Sequence, residues 1–153
     1  MDYSKSFAIS AAGMAAERTR VEVSALNLAN ANTVSGPDGG GFQPLRVLLR
    51  SAAAAEVAPG AFASQVEAGR QSAAAEFTLP EASIEPSDVA PRQAYEPGNP
   101  FADTKGMVNY PGVDTATEMV NMMGAMRSYE ANVAAMNASR SLSSRALEIG
   151  GSS

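Results

Sequence analysis

The sequence predicts a mainly α protein in which long N- and C-terminal helices form a coiled-coil-like axial hairpin with a loose β-containing arm between them. Apolar residues recur every seven positions at both ends of the 153-residue chain, and neither of those segments contains proline. Six prolines instead fall between residues 59 and 100. Heptad spacing is typical of helices that pack along one side. We therefore divide the chain into an N-terminal axial helix (1–35), a middle arm (36–110) and a C-terminal axial helix (111–150).

The N-terminal helix is predicted to run from about Ser4 to Thr33. Its apolar stripe has one heptad column and a second column four residues on, namely Phe7, Met14, Val21, Leu28 and Ala11, Arg18, Ala25, Asn32. Glycines and a proline follow from Gly36 to Gly41, and such residues end helices.

The C-terminal helix is predicted to begin at Asp114 or Thr115 and to end before two glycines at 150 and 151. Thr115 and Glu118 have the spacing of a capping box. The two heptad columns are Met119, Met126, Val133, Arg140, Leu147 and Met122, Tyr129, Met136, Ser143. The helix therefore carries a methionine-rich stripe, which suits either a plain core or a face that packs against non-identical neighbours.

The middle arm has weaker signals, because alanine runs and prolines interrupt it. Short strands are predicted at 42–49, 76–79 and 82–85, where β-forming residues cluster. The stretch Glu96–Pro100 has the composition of a tight turn.

Composition excludes several classes of function. The net charge of −5 argues against nucleic acid as a partner, since phosphate binding needs clustered Lys and Arg. The chain has no Cys and no His, so thiolate chemistry, Cys-ligated zinc and imidazole acid–base catalysis are excluded. The glycines at 36–41 lack the Lys-Ser/Thr of a phosphate loop. We expect no enzyme, and no catalytic, cofactor or metal site.

The chain also lacks the features of a membrane or secretory segment. No apolar run approaches the roughly 18 residues that would span a bilayer, so no transmembrane segment is predicted. The stretch from Phe7 to Ala16 loosely imitates a signal peptide, but its helical pattern continues past Ala16. We expect the N-terminus to be retained.

The polar residues within the two helices allow two interpretations. Asparagine is a poor residue inside helices, yet each helix carries three of them: Asn27, Asn30, Asn32 and Asn121, Asn132, Asn137. They are either surface residues or amide contacts that select one helix register. Likewise, Arg127 and Glu130 form either a solvated surface pair or a contact between helices.

Two motifs carry a resemblance to a known family. The first is SALNLANANTVSGPDG at residues 24–39. The second joins Glu118-Met119 to Arg127-Ser-Tyr-Glu-Ala-Asn132 and to a later Ala-Leu. Together they resemble the rod and hook class of bacterial flagellar axial proteins. Within that class, the chain resembles proximal rod subunits in its small size and in three segments: Val34–Gly39, Tyr95–Pro100 and Asp103–Gly106.

The resemblance implies a structural subunit of the flagellar proximal rod, which transmits torque from rotor to hook. It implies type III export without a cleaved signal peptide and assembly in the periplasmic rod of the basal body. The implied partners are other proximal and distal rod subunits, MS-ring or export-gate adaptor proteins at the rod base, and copies of the chain itself. The alternative is a cytoplasmic helical adaptor or export chaperone.

The expected assembly interface combines the heptad columns with the matched motifs. Its residues are Phe7, Met14, Val21, Asn27, Leu28, Asn30, Asn32, Met119, Met122, Met126, Arg127, Tyr129, Glu130, Asn132, Val133, Met136, Asn137 and Leu147.

Overall fold

The computed structural model describes residues 3–36, 40–51 and 79–150, and this part of the chain is mainly α. Along the sequence, one long helix precedes and another follows the four strands, which form two small antiparallel sheets. The elements in chain order are α1 (Tyr3–Asn30), β1 (Leu45–Ser51), β2 (Pro80–Pro86), β3 (Arg92–Tyr95), β4 (Met107–Tyr110) and α2 (Thr115–Gly150).

Helix α1 ends at Asn30, three residues before the predicted end. The chain tightens there, because the N–H of Ala31 donates to the carbonyl of Leu28 at 3.2 Å, a bond between residues three apart. The side chain of Asn30 turns back to the carbonyl of Leu26 at 2.9 Å. Asn30 therefore belongs to the end of its own helix.

Helix α2 starts with Asp114 as its N-cap, which is one of the two predicted starts. One Asp114 carboxylate oxygen accepts from the N–H of Ala116 at 3.0 Å, and the other accepts from the hydroxyl of Thr117 at 2.7 Å. The hydroxyl and amide bonds lower the pKa of Asp114. The predicted capping box is wrong, since the Glu118 carboxylate accepts from Asn27 of α1 instead.

The first sheet pairs β1 with β2 in antiparallel register, with Val47 opposite Ile84. On its charged face, Arg50 bonds the Glu85 carboxylate at 2.7 Å. Strand β1 begins three residues later than predicted, after Pro44, whose N–H is missing from the ladder. Of the predicted strand at 76–79, residues 76–78 lie outside the described residues, and Leu79 precedes β2.

The second sheet, formed by β3 and β4, was not predicted. Both strands have only four residues, too few for a clear alternating pattern. The predicted turn is confirmed at their connection, where the N–H of Asn99 donates to the carbonyl of Glu96 at 3.0 Å. An Asx turn follows, in which the Asp103 carboxylate accepts from the N–H groups of Lys105 and Met107, both at 2.8 Å.

Helices α1 and α2 lie side by side and antiparallel, as two contacts show. Asn27, near the end of α1, bonds Glu118 at the start of α2, while Gly13 faces Asn132 fourteen residues further along. The first sheet packs against α1. Buried hydrophobic residues in the described part are small: Ala16, Val23, Ala31, Val108 and Ala125. Most large apolar side chains are therefore left outside this core.

Candidate assembly interface

The contact between α1 and α2 is built from small and polar residues. Ser10, Ala16 and Ser24 are buried on α1, and Ala125 is fully buried on α2. Small side chains let two helix backbones approach closely, whereas large apolar side chains keep them further apart. We call this contact the seam.

Gly13 shows how tight the seam is. A Cβ atom added to Gly13 would lie 2.8 Å from Nδ2 of Asn132 and 3.0 Å from its Oδ1. No real Cβ atom sits that close, so a side chain at Gly13 would displace the Asn132 amide. The two residues form a knob and a recess at one level of the seam.

Asn27 lies two heptads from Gly13 and is buried to 1% exposure. Its amide nitrogen donates to Oε1 of Glu118 at 2.9 Å and to the carbonyl of Leu45 at 2.8 Å. Its amide oxygen accepts from the N–H of Leu45 at 2.9 Å. Asn27 therefore makes the predicted amide contact between helices. Asn32, Asn121 and Asn137 have exposed side chains.

The predicted heptad columns flank the seam rather than forming it. An open groove beside the seam is lined by Arg18, Val21, Met126, Tyr129 and Glu130. The first sheet lies on another side of α1, where Val23 lines a polar recess together with Leu45. Positions two residues apart differ by about 200° around a helix, so Val21 and Val23 point to different sides.

The sequence continues both walls of this groove at heptad spacing. One heptad from Val21 is Leu28, and one heptad from Met126, in the opposite chain direction, is Met119. The other way, Met14 and Val133 continue the two walls. We call these two columns the apolar groove.

Helix α2 exposes apolar side chains both in the groove and beside it. Met119 and Met123 are both 52% exposed, Met126 is 50% exposed, and Val120 is 63% exposed. Contiguous apolar surface of this kind marks interaction sites in soluble proteins. Methionine suits such a site, since its unbranched side chain adapts to differing partners.

The structure distributes the predicted interface residues among three environments. Asn27 is buried. The half-buried residues are Phe7, Met14, Val21, Leu28, Asn30, Met122, Asn132, Val133 and Met136. The exposed residues are Asn32, Met119, Met126, Arg127, Tyr129, Glu130, Asn137 and Leu147. Within the described residues, no ion pair joins Arg127 to Glu130, and both side chains are exposed.

Sequence reasoning missed the seam itself. Ser10, Gly13, Glu17, Arg20, Ser24 and Asn27 alternate at spacings of three and four residues, which is the pattern of a helix contact. Because these residues are small or polar, a search for apolar repeats passes over them. Leu45 was missed as well, since its part in the site is made by its backbone.

The β3–β4 connection forms a separate polar cluster. The Glu96 carboxylate accepts from Nδ2 of Asn99 at 3.0 Å and from the hydroxyl of Tyr110 at 2.9 Å. These two bonds hold the pKa of Glu96 below its usual value. The Arg92 guanidinium carbon lies 5.0 Å from the centre of the Tyr110 ring, within range of a cation–π contact.

Gly106 completes this connection. Its φ of +75° favours glycine, and a Cβ there would lie 3.0 Å from the Tyr95 ring. The motif segments at 95–100 and 103–106 are therefore one ordered hairpin connection.

Other kinds of site find no support in the described residues. Across 3–36, 40–51 and 79–150, no group of three or more Asp or Glu side chains is placed to hold a metal ion. Neither helix is long and apolar enough to cross a membrane.

Comparison with known proteins identifies the class. Residues 104–149 match the family model described as flagellar basal body rod FlgEFG protein C-terminal. Flagellar basal-body rod protein FlgC of Escherichia coli O6:H1 is 38% identical over 94% of the chain and 95% of its own length. The Salmonella typhimurium LT2 protein of the same name is 37% identical over the same shares. The Bacillus subtilis 168 protein is 33% identical over 93% of the chain and 94% of its own length.

The helix pair, its apolar groove and these relatives define a structural protein of the bacterial flagellar basal-body rod. The relatives match along nearly the whole chain, including the middle arm. The chain belongs to the FlgC family of flagellar basal-body rod proteins. This membership displaces the alternative of a cytoplasmic adaptor or export chaperone.

Proposed function

We propose that this rod subunit works in the proximal rod as a coiled-coil-like axial hairpin that transmits torque from rotor to hook. The observation that carries the proposal is the uncovered apolar groove beside a seam of small residues. A seam of this kind holds the two helices close while leaving their large apolar side chains for neighbouring subunits.

Two fixed points support a single register in the hairpin. Gly13 meets Asn132 and Asn27 meets Glu118, and each pair is separated from the other by fourteen residues on both helices. A slip of one heptad would place Gly13 near Ala125 or Ser139 and would part Asn27 from Glu118. Polar contacts that are satisfied in one register select against the others. A fixed register suits a part that carries mechanical load.

The energy for assembly would come from the surface that the isolated chain leaves exposed. Fully burying a methionine stabilises by about 1.5–3 kcal/mol. Met126 is 50% exposed, so a neighbour that covers it gains about half of this, roughly 0.8–1.5 kcal/mol. Similar contributions from Met119 and Met123 raise the sum per subunit to roughly 2–5 kcal/mol. Repetition along a rod multiplies this value.

The proposed neighbours are copies of the chain, other proximal and distal rod subunits, and MS-ring or export-gate adaptor proteins at the rod base. The proposed route is type III export without a cleaved signal peptide, ending in the periplasmic rod. In this arrangement 1–35 and 111–150 form the axial layer, and 36–110 forms the arm. Torque transmission needs many side-by-side contacts and no reaction centre, which agrees with a role other than catalysis.

The interface would use the outward members of the predicted set. On α1 these are Phe7 and the groove residues Met14, Val21 and Leu28, and on α2 they are Met119, Met126, Tyr129 and Val133. Asn27 and Asn132 would act within the subunit, at the seam. Exposed Asn137 and Leu147 would extend the contact toward the end of α2.

The proposal is tested by complementation in a flagellated host from which the chain's gene is deleted. We expect a tagged copy to restore swimming and to co-purify with basal bodies after the hook and filament are sheared off. A copy that restores swimming while remaining absent from purified basal bodies would overturn the proposal. The matched control is the same tagged copy lacking α2, which we expect to be absent from basal bodies and to leave the cells non-motile.

A further inference from the structure

We infer that Asn27 is a positioning residue that locks the β1–β2 sheet to the helix pair. Its side chain is the point at which three elements meet: it belongs to α1, bonds both backbone groups of Leu45 in β1, and bonds Glu118 in α2. The inference goes beyond the role in the rod, since it concerns how one subunit holds its own parts together.

The position of Leu45 in the ladder explains why an amide fits there. Leu45 lies opposite Pro86, which has no N–H, and the bond from the Ser87 N–H to the Pro44 carbonyl marks the neighbouring hydrogen-bonded pair. In an antiparallel ladder such pairs alternate with pairs whose backbone groups point outward. The N–H and carbonyl of Leu45 therefore point away from β2, and the Asn27 amide pairs with both as another strand would.

The amide nitrogen of Asn27 has no hydrogen left for a different partner. Both hydrogens of its nitrogen are used, one on Leu45 and one on Glu118, and its oxygen accepts one N–H. At 1% exposure, water cannot replace a lost partner easily. Removing the amide would leave two Leu45 groups unpaired in a part-buried place.

The side-chain hydrogen bonds of the two strands stay within the sheet. In the described strands 45–51 and 80–86, the side chains bond within the sheet, through Arg46, Arg50, Glu85 and Ser83. Asn27 makes the hydrogen bonds that join these strands to a helix. Apolar packing on α1 is not directional, so the amide is what fixes the angle of the sheet.

The absence of cysteine from the chain makes the inference directly measurable. Cysteines placed at exposed Ala25 of α1 and exposed Glu81 of β2 carry spin labels that report the sheet-to-helix distance. A second labelled pair, at Ala25 and exposed Ala131 of α2, reports the helix-to-helix distance. Both distance distributions are recorded by pulsed electron paramagnetic resonance on the full chain.

We expect Asn27→Ala to widen the sheet-to-helix distance distribution at least about twofold. The helix content should stay unchanged, because one part of a protein can open locally while the rest remains folded. The matched control is Asn30→Ala, which removes the same group from the same helix but from a bond within α1. Glu118→Gln keeps an acceptor oxygen for Asn27 and should preserve the wild-type width.

Leu45→Pro provides a second variant in case Asn27→Ala loses its fold. It removes the N–H that donates to Asn27, and that N–H is not part of the β1–β2 ladder. Proline is tolerated at the first residue of an edge strand. We expect the same widening of the sheet-to-helix distribution, by a smaller factor.

Two results would overturn the inference. One is a sheet-to-helix width in Asn27→Ala equal to that of Asn30→Ala, with Leu45→Pro also unchanged. The other is an equal widening of both labelled distances, which would make Asn27 a general stabiliser of the fold rather than the residue that positions the sheet.

Discussion

Replacing Met126 with aspartate should block entry of the subunit into the rod while leaving its own fold intact. Met126 lies in the apolar groove next to Val21 and Tyr129, and half of its surface is exposed in the single chain. A charge there costs little in the isolated subunit, because water still reaches it. In the rod, the same carboxylate would be covered by a neighbour and left without a partner.

The cost has two parts. Losing the burial of the exposed half of Met126 removes roughly 0.8–1.5 kcal/mol of assembly energy. Burying a carboxylate without a partner adds several kcal/mol more. A total above about 4 kcal/mol lowers the affinity of each contact by roughly 1,000-fold, since 1.4 kcal/mol is tenfold.

The assay is the amount of the variant in purified basal bodies, relative to wild type, with export measured separately in the culture medium. Met126→Leu conserves volume and should be incorporated normally. Ala131→Asp places the same charge on an exposed position about 140° around α2 from Met126 and controls for charge alone. Wild-type incorporation of Met126→Asp would refute the reasoning, because it would show that the groove stays solvated.

Two further predictions concern the seam and the hairpin connection. In the wild-type background, Gly13→Ala should lower the free energy of unfolding by about 1–3 kcal/mol, because the new methyl group is overpacked against Asn132. In the Asn132→Ala background, the same substitution should raise the free energy of unfolding by up to about 1 kcal/mol, because alanine has a higher helix propensity than glycine. Additive changes in circular-dichroism melts would contradict this coupling. The pKa of Glu96 is lowered by Asn99 and Tyr110, so this carboxylate stabilises the hairpin above the usual glutamate pKa, and that contribution is lost as pH falls through the lowered value. An acid titration of the Tyr110 ring resonances should show one step, absent in Glu96→Gln; a step at or above the usual glutamate value would contradict it.

The sequence predicted the two helices well because their signals are long and local. Heptad repeats, an Asp114 N-cap and the breakers from Gly36 onward each act within a few residues of the element that they define. The starting residue of α2 was therefore confirmed, and the end of α1 was misplaced by three residues. The turn at Glu96–Pro100 was found for the same reason, since its residues alone encode it.

The seam and the second sheet could not be predicted in the same way. The residues that let the helices approach are small or polar, and Gly13 matters because of Asn132, which lies far along the chain. The role of Asn27 depends on the backbone of Leu45, which no side-chain pattern reports. Apolar repeats indicated the groove beside the seam, whereas the contact between the two helices needed the three-dimensional register.

Methionine oxidation tests the central claim, that the apolar groove and the adjoining surface of α2 are covered in the rod. Met119, Met123 and Met126 are each about half exposed in the single chain, so hydroxyl radicals should oxidise them readily in the isolated subunit. Mass spectrometry of intact basal bodies treated in the same way should show at least about a tenfold slower oxidation of all three, as expected for side chains removed from solvent. Equal oxidation of the three methionines in the isolated subunit and in the rod would contradict the account.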